Sequence, residues 1–345
     1  AVFSLFAWQQ ADTPEEDAKA VATGRAKLEA IERMVANDPA RVGLARSADE
    51  LEAHARAGRR SVLLSVLNAT VLGREAELLT AYHLRGLRQV GFVHAGHNAF
   101  ADSSRPMAKN GDAATRWGGL SPRGRRLVGE LNDLGIIVDV SQLSSEAQRE
   151  TIALSRAPVV ASHSAVRARV DAPRNLTDDE LRLIAQSGGA ASQGGVINVV
   201  AFSAYLRAAP AQHTIDLQRL RDKYQAPDDA AVAKLPEAAR NAYNAEYFAL
   251  LRALPRATVA DLVDAIDHVV RIVGVGHVGI ATDFEHAGGV AGFSNASEAP
   301  NVTRELLARG YTPAQIAQIW GGNWLRLWRE VESTRRAAPP AAQKE

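Results

Sequence analysis

The sequence predicts an α/β fold in which parallel strands alternate with helices: a (β/α)8 barrel of the TIM type, in distorted form. Three observations predict it. Short apolar runs recur along the chain and each ends in polar residues. Runs that are apolar throughout mark strands covered on both faces, as in parallel sheets. Between the runs lie helix-start signatures, Thr13-Pro-Glu-Glu16, Ser47-Ala-Asp-Glu50, Thr177-Asp-Asp-Glu180 and Thr312-Pro-Ala-Gln315, in which a hydroxyl caps the first turn and a Glu or Gln three residues on answers it. The polar strand tips would share one rim, and in such barrels the rim at the C-terminal strand ends carries the site.

In order, Val2–Trp8 is a strand tipped by Gln9 and Gln10, followed by a helix to about Ala36 and a second helix opened by Ser47. Ser61–Leu67 is a strand ending in Asn68, with a helix expected from about Arg74 to Leu87. Val90–Val93 is tipped by His94, with His97, Asn98 and Asp102 in the loop beyond. Ser121 to Leu134 is a helix, and Ile136–Val140 leads to Ser141 and Gln142. Ser144 or Ser145 opens the helix before Pro158-Val-Val-Ala-Ser-His-Ser164, where a four-residue strand delivers His163. Gly195–Val200 is the next strand, and residues 201–257 form an Ala-rich helical excursion. Thr258 to Val273 shows helical spacing at Leu262, Ile266, Val269 and Val270. His277–Ala281 is tipped by Thr282, Asp283, Glu285 and His286. The last helix runs through Trp320, Trp324, Leu327 and Trp328, whose spacing marks core packing. Seven strands are counted where a closed barrel has eight, so the first is expected to precede Ala1. One barrel domain spans 1–333, and the polar Ala- and Pro-rich segment 334–345 is expected to be a disordered tail.

Composition sets bounds on function. Lys+Arg number 40 against Asp+Glu 39 over 345 residues, a formal net charge of +1. A nucleic-acid binder that tracks phosphates carries a clear basic excess, so that class is not indicated. No apolar run approaches a membrane span. Cys is absent, which removes disulfides and thiolate metal ligands.

The tip residues carry the candidate chemistry. His163 is either a metal ligand or a histidine hydrogen-bonded to its neighbours. Arg174, between Pro173 and the Thr177 cap, suits a carboxylate or the carbonyls of its own loop. Asp283 and Glu285 line a site or serve as N-cap acids. Asp139, inside an apolar run, reads as a buried carboxylate orienting a neighbour. His94 and His97 form an H-x-x-H spacing that a strand end does not place on one face. His54, His83, His213 and His268 fall on helix-like surfaces and need no function.

Several stretches together resemble the membrane (renal-type) dipeptidases, metallopeptidase family M19. They are His97-Asn-Ala-Phe-Ala-Asp-Ser-Ser104, Gly119-Leu-Ser-Pro-Arg-Gly124, Leu134-Gly-Ile-Ile-Val-Asp-Val-Ser141, Ser155-Arg-Ala-Pro-Val-Val-Ala-Ser-His-Ser164, Pro173-Arg-Asn-Leu-Thr-Asp-Asp-Glu-Leu181, Gly276-His-Val-Gly-Ile-Ala-Thr-Asp-Phe284 and Gly322-Asn-Trp-Leu-Arg326. They occur in the family's order over nearly the whole chain. The resemblance implies a distorted barrel that hydrolyses small dipeptides, some with a D-residue at the C-terminal position, using two bridged zinc ions. It implies that His94 polarises the scissile carbonyl and Asp283 handles the proton of the leaving amine. It places Arg174 and Asn98 on the substrate side and makes His163 a zinc ligand. It also puts Leu67 where the bridging Glu belongs and Gln142, a weak or replaced ligand, where a second zinc-binding His belongs. A further His-x-Asp ligand pair would lie before Ala1. Those departures give the alternative expectation of a catalytically degraded homologue, a pseudoenzyme that binds small molecules. A third expectation is a single rearranged metal on His94, His163 and Asp283. The resemblance further allows a homodimer and favours an exported or periplasmic location.

Overall fold

A computed structural model of the chain describes residues 1–8 and 13–336. Its strands are β1 (Val2–Leu5), β2 (Val42–Leu44), β3 (Arg60–Val66), β4 (Leu87–Gly91), β5 (Ile137–Asp139), β6 (Val160–Ser164), β7 (Val196–Val200) and β8 (Val278–Ala281). All pairings between them are parallel, in the order β1-β3-β4-β5-β6-β7-β8. Helices cross between successive strands, so the sheet curls into a half-barrel consistent with a distorted (β/α)8 barrel. Among the described residues β1 and β8 form the two ends of this path and do not pair.

The seven expected strands are present, with one addition. β2 was not foreseen. It pairs with the first half of β3, Val42 opposite Arg60 to Leu44 opposite Val62, and β1 pairs with the second half, Val2 opposite Leu63 to Leu5 opposite Val66. β2 bonds Arg60 and Val62 whereas β1 bonds Ser61, Leu63 and Leu67, so the two lie on opposite edges of β3, and three residues are too few to leave a period in the sequence. β6 also extends further than expected, so that His163 lies within the strand. The helix expected over Arg74 to Leu87 is reduced to Leu79–Leu84. Asn68 caps a 3-10 turn at Ala69–Leu72, its side chain accepting from Thr70 N, and Gly73 at φ 88° turns the chain away.

The expected caps at Thr177 and Thr312 form, and Ser121 and Thr258, expected only as helix starts, prove to be caps as well. Thr177 and Glu180 make a reciprocal capping box for Asp178–Ala185, Thr258 and Asp261 one for Val259–Val273, and Thr312 and Gln315 one for Pro313–Ala317. Ser121 caps Pro122–Leu134, which ends on Gly135 at φ 68°. The start of that helix lies against the loop after β4, because a Cβ on Gly124 would stand 2.1 Å from Phe100 O. Between β7 and the Thr258 cap run four helices, Ser203–Leu206, Ala211–Lys223, Asp229–Ala233 and Glu237–Arg252.

The C-terminal helix differs from expectation. It breaks into Pro313–Ala317, a wide π turn over Gln318–Gly322, and Asn323–Ser333. Asn323 donates to Val275 O and Val278 O at 2.7 and 2.8 Å, which anchors the break beside β8. Of the three tryptophans placed in the core by spacing, Trp328 is fully buried, whereas Trp320 is 37% exposed at the π turn. His83 and His268, expected on surfaces, are buried, and His268 bonds Asp178 at 2.6 Å. Gln9, Gln10 and residues 337–345 of the expected tail lie outside the described residues. No helix among the described residues is long and apolar enough to cross a membrane.

Removing the hydroxyl of the Thr177 cap leaves first-turn N–H groups without their partner. Thr177→Ala is expected to lower unfolding stability by about 1 kcal/mol in urea titrations.

Candidate active site

Strand geometry brings the sequence-selected residues to one rim. β6 holds His163 inside the barrel mouth, β4 leads into His94, the turn after β5 presents Gln142, and the turn after β8 presents Asp283. Arg174 reaches back from the loop after β6 to donate to His163 O. Arg105, Arg174 and His286 act on His94, and the same three groups act on Asp283. His163 lies within the field of Arg174, His94, Arg105 and His286.

His163 is the centre of a polar chain. Gln142 Nε2 donates to His163 Nε2 at 2.9 Å, since an amide nitrogen has no lone pair to accept with. His163 therefore carries its proton on Nδ1, 2.7 Å from Ser162 Oγ, and Ser162 donates onward to Asp139 Oδ2 at 2.5 Å. Asp139 is fully buried and also accepts from Ser141 N and Ser162 N. Burial pushes its carboxyl above the usual range, and those hydrogen bonds oppose the rise. At the other end Arg105 donates to Gln142 Oε1. Asp139 is thus the orienting carboxylate expected from sequence. Arg105 was not singled out; its one signal was a lone arginine just past the His97–Ser104 stretch.

His94 stands against aromatic rings, with Phe6 at 4.8 Å and Trp8 at 4.9 Å between centroids. Its Nδ1 is buried without a hydrogen-bond partner. Burial, followed by the Arg105 and Arg174 charges, lowers its pKa to about 3, so the ring is neutral at pH 7. Asp283 is pushed the other way by burial, against the pull of Arg174, His286 and Arg105. Gln142 and Asp283 both hold left-handed backbones, at φ 69° and 50°. Non-glycine residues seldom adopt that region, and its cost is sustained where surrounding contacts fix the chain.

Asn98, Asp102 and His97 do not face the pocket. Asn98 Nδ2 donates to Asn68 Oδ1 and Phe92 O, and its Oδ1 accepts from Phe100 N and Ala101 N. With its amide saturated inside the loop, Asn98 braces the site and has no hydrogen-bonding capacity left for substrate. For Asp102, burial works to raise the pKa, but hydrogen bonds from Thr115, Trp117 and Arg116 outweigh it and hold the carboxyl low. His97 accepts from Ser103 N at 3.0 Å and lies 3.0 Å from Ala113 O, so the H-x-x-H spacing is not a metal site.

The family model for membrane dipeptidases, peptidase family M19, matches residues 1–341. The chain belongs to the M19 peptidase family. It is 31% identical to the dipeptidase aclJ of Aspergillus oryzae over 281 residues, 81% of this chain and 54% of that protein. It therefore spans about half the length of that relative. The probable dipeptidase PvdM of Pseudomonas aeruginosa superposes with a TM-score of 0.90 at 40% identity, covering 96% of this chain and 86% of that one. A metallopeptidase from Rhodobacter sphaeroides, liganded with a phosphinate mimic of L-Ala-D-Ala, shares the fold with a TM-score of 0.69 at 22% identity over 91% and 76% of the two chains.

The two-zinc centre implied by resemblance does not fit these side chains. Leu67 has no donor atom to bridge two ions. The Gln142 position supplies an amide, and that amide occupies the His163 lone pair a metal would need. Among the described residues no group of three or more His, Asp or Glu could hold a metal ion, so the rearranged site on His94, His163 and Asp283 is not formed either. Three or four protein ligands are the usual minimum for zinc.

The depressed histidines make stability pH-dependent. Below the unfolded value of about 6.5 the unfolded chain binds protons that His94, at about 3, and His83, at about 4, refuse in the folded state. Stability is therefore expected to fall as pH drops from 7 towards 4. Urea midpoints for His94→Gln are expected to fall less steeply than wild type, and parallel slopes would refute the assignment.

Proposed function

We propose that this chain is a dipeptidase that grips a small dipeptide by its terminal carboxylate at Arg174 and acts on the peptide bond between His94 and Asp283. One observation carries the reading: around a shared rim, Arg174 Nε and His94 Nδ1 are buried nitrogens without partners, and Asp283 faces the same space. A guanidinium fork matches a carboxylate in geometry and charge. The neutral His94 ring can donate one N–H to the scissile carbonyl oxygen, where negative charge grows as water attacks. Asp283 takes the proton from that water and returns it to the leaving amine; its raised pKa suits both transfers. A D-residue at the C-terminal position is part of this proposal, supported by the family resemblance.

A second reading has its own support. Leu67 and the Gln142–His163 bond stand where zinc chemistry would be organised, which favours a pocket that binds dipeptides without cleaving them.

The deciding experiment measures metal content of the purified protein by plasma mass spectrometry and hydrolysis of Ala-D-Ala and Ala-L-Ala with and without added zinc. Turnover of either peptide supports the dipeptidase, and faster cleavage of Ala-D-Ala supports the stereochemical preference. Saturable binding with no turnover supports the second reading. Arg174→Ala is expected to weaken handling of any peptide with a free carboxylate by roughly 10-fold or more, as loss of a charged hydrogen bond implies. In an active enzyme, Asp283→Asn should lower kcat with little change in KM.

A further inference from the structure

The pocket holds a second guanidinium that the proposed dipeptide chemistry leaves unused. Arg105 donates to Gln142 Oε1, and its Nη1 lies 3.5 Å from Tyr205 Oη. Its Nε is buried with no partner. Arg174 stacks on the ring of the same Tyr205, its Cζ 4.5 Å from the centroid, and its own Nε is also buried without a partner. Tyr205 in turn stacks on Phe202, with centroids 4.6 Å apart. One phenol ring thus sets both cations in the same cavity.

The charges facing that cavity do not balance. Two of the three histidines there, His94 and His163, are held neutral by burial; the third is His286. The facing acids are Asp283 and, behind His163, Asp139, whose oxygens are taken by Ser162, Ser141 and Gln89. Among the described residues no ion pair joins Arg105 or Arg174 to a carboxylate, and Asp283 acts on both only from longer range. A cation taken out of water without a counter-ion is costly, and a ligand bringing two negative groups removes that cost twice.

The geometry points to a dipeptide with two carboxylates, its terminal one on Arg174 and an Asp or Glu side chain on Arg105, as the ligand this pocket selects. The inference rests on the role given to Arg174. Arg105 also holds Gln142 against His163, so the cation lies beside the position at which the family has a metal-binding histidine. A ligand oxygen arriving there would meet a guanidinium.

The test compares Ala-Glu and Glu-Ala with Ala-Gln and Gln-Ala, near-isosteric pairs that differ by one negative charge. The readout is kcat/KM where the peptide is cleaved and Kd by calorimetry where it is not. Wild type is expected to prefer at least one acidic peptide over its amide by roughly 10-fold, the size of a charge-assisted contact. Arg105→Gln should abolish that preference, and Arg105→Lys should keep part of it. Arg174→Ala should weaken acidic and amide peptides alike. Equal handling of acid and amide by wild type overturns the second subsite and leaves the Arg174 reading standing. Binding of none of the four peptides overturns the Arg174 reading and this one with it.

Discussion

The hydrogen bond from Gln142 to His163 fixes the character of the whole rim. It spends the imidazole lone pair and forces the proton to Nδ1. It also aligns a chain of donors running from Arg105 through Gln142, His163 and Ser162 to the buried Asp139. Each link satisfies a polar atom that burial would otherwise penalise. The chain closes over the position at which a metal would sit, and it draws the Arg105 cation into the cavity. A single amide in place of an imidazole therefore changes what the pocket can hold, while the barrel around it keeps the family's shape.

The backbone pays attention to the same places. Gln142 and Asp283 each follow a strand tip by two or three residues and each sits in the left-handed region. The loop after β4 is tied to this rim as well: Ser103 Oγ donates to His94 O, and Ser104 N to Gln142 O. Asn98 and Asp102 organise that loop from inside, accepting several backbone N–H groups each. Rigidity at the rim comes from these buried acceptors, which leaves Arg174, Arg105, His94 and Asp283 free to present unpaired groups to a ligand.

Most of the architecture was legible from short-range signals. The hydroxyls expected to open helices at Thr13, Ser47, Ser144, Thr177 and Thr312 all cap them, because a cap is a contact between residues three apart. Apolar runs marked the seven strands of the main path. What failed was long-range in origin. β2 exists because the edge of β3 is open to it, and the π turn at Gln318–Gly322 exists because Asn323 bonds carbonyls flanking and within β8. Neither partner is near in sequence.

The amino-acid sequence by itself determined the family, the alternation of strand and helix, and the tip residues His94, His163, Arg174 and Asp283. It also determined the misfit at Leu67 and Gln142, since residue identity alone decides whether a metal ligand is present. The tertiary structure decided where their lone pairs and protons point. It turned Asn98 inward as a brace, made His163 an acceptor from Gln142, and brought Arg105 to Arg174 across Tyr205. Hydrogen-bond direction and the balance of buried charge depend on groups brought together from distant parts of the chain, and no local pattern encodes them.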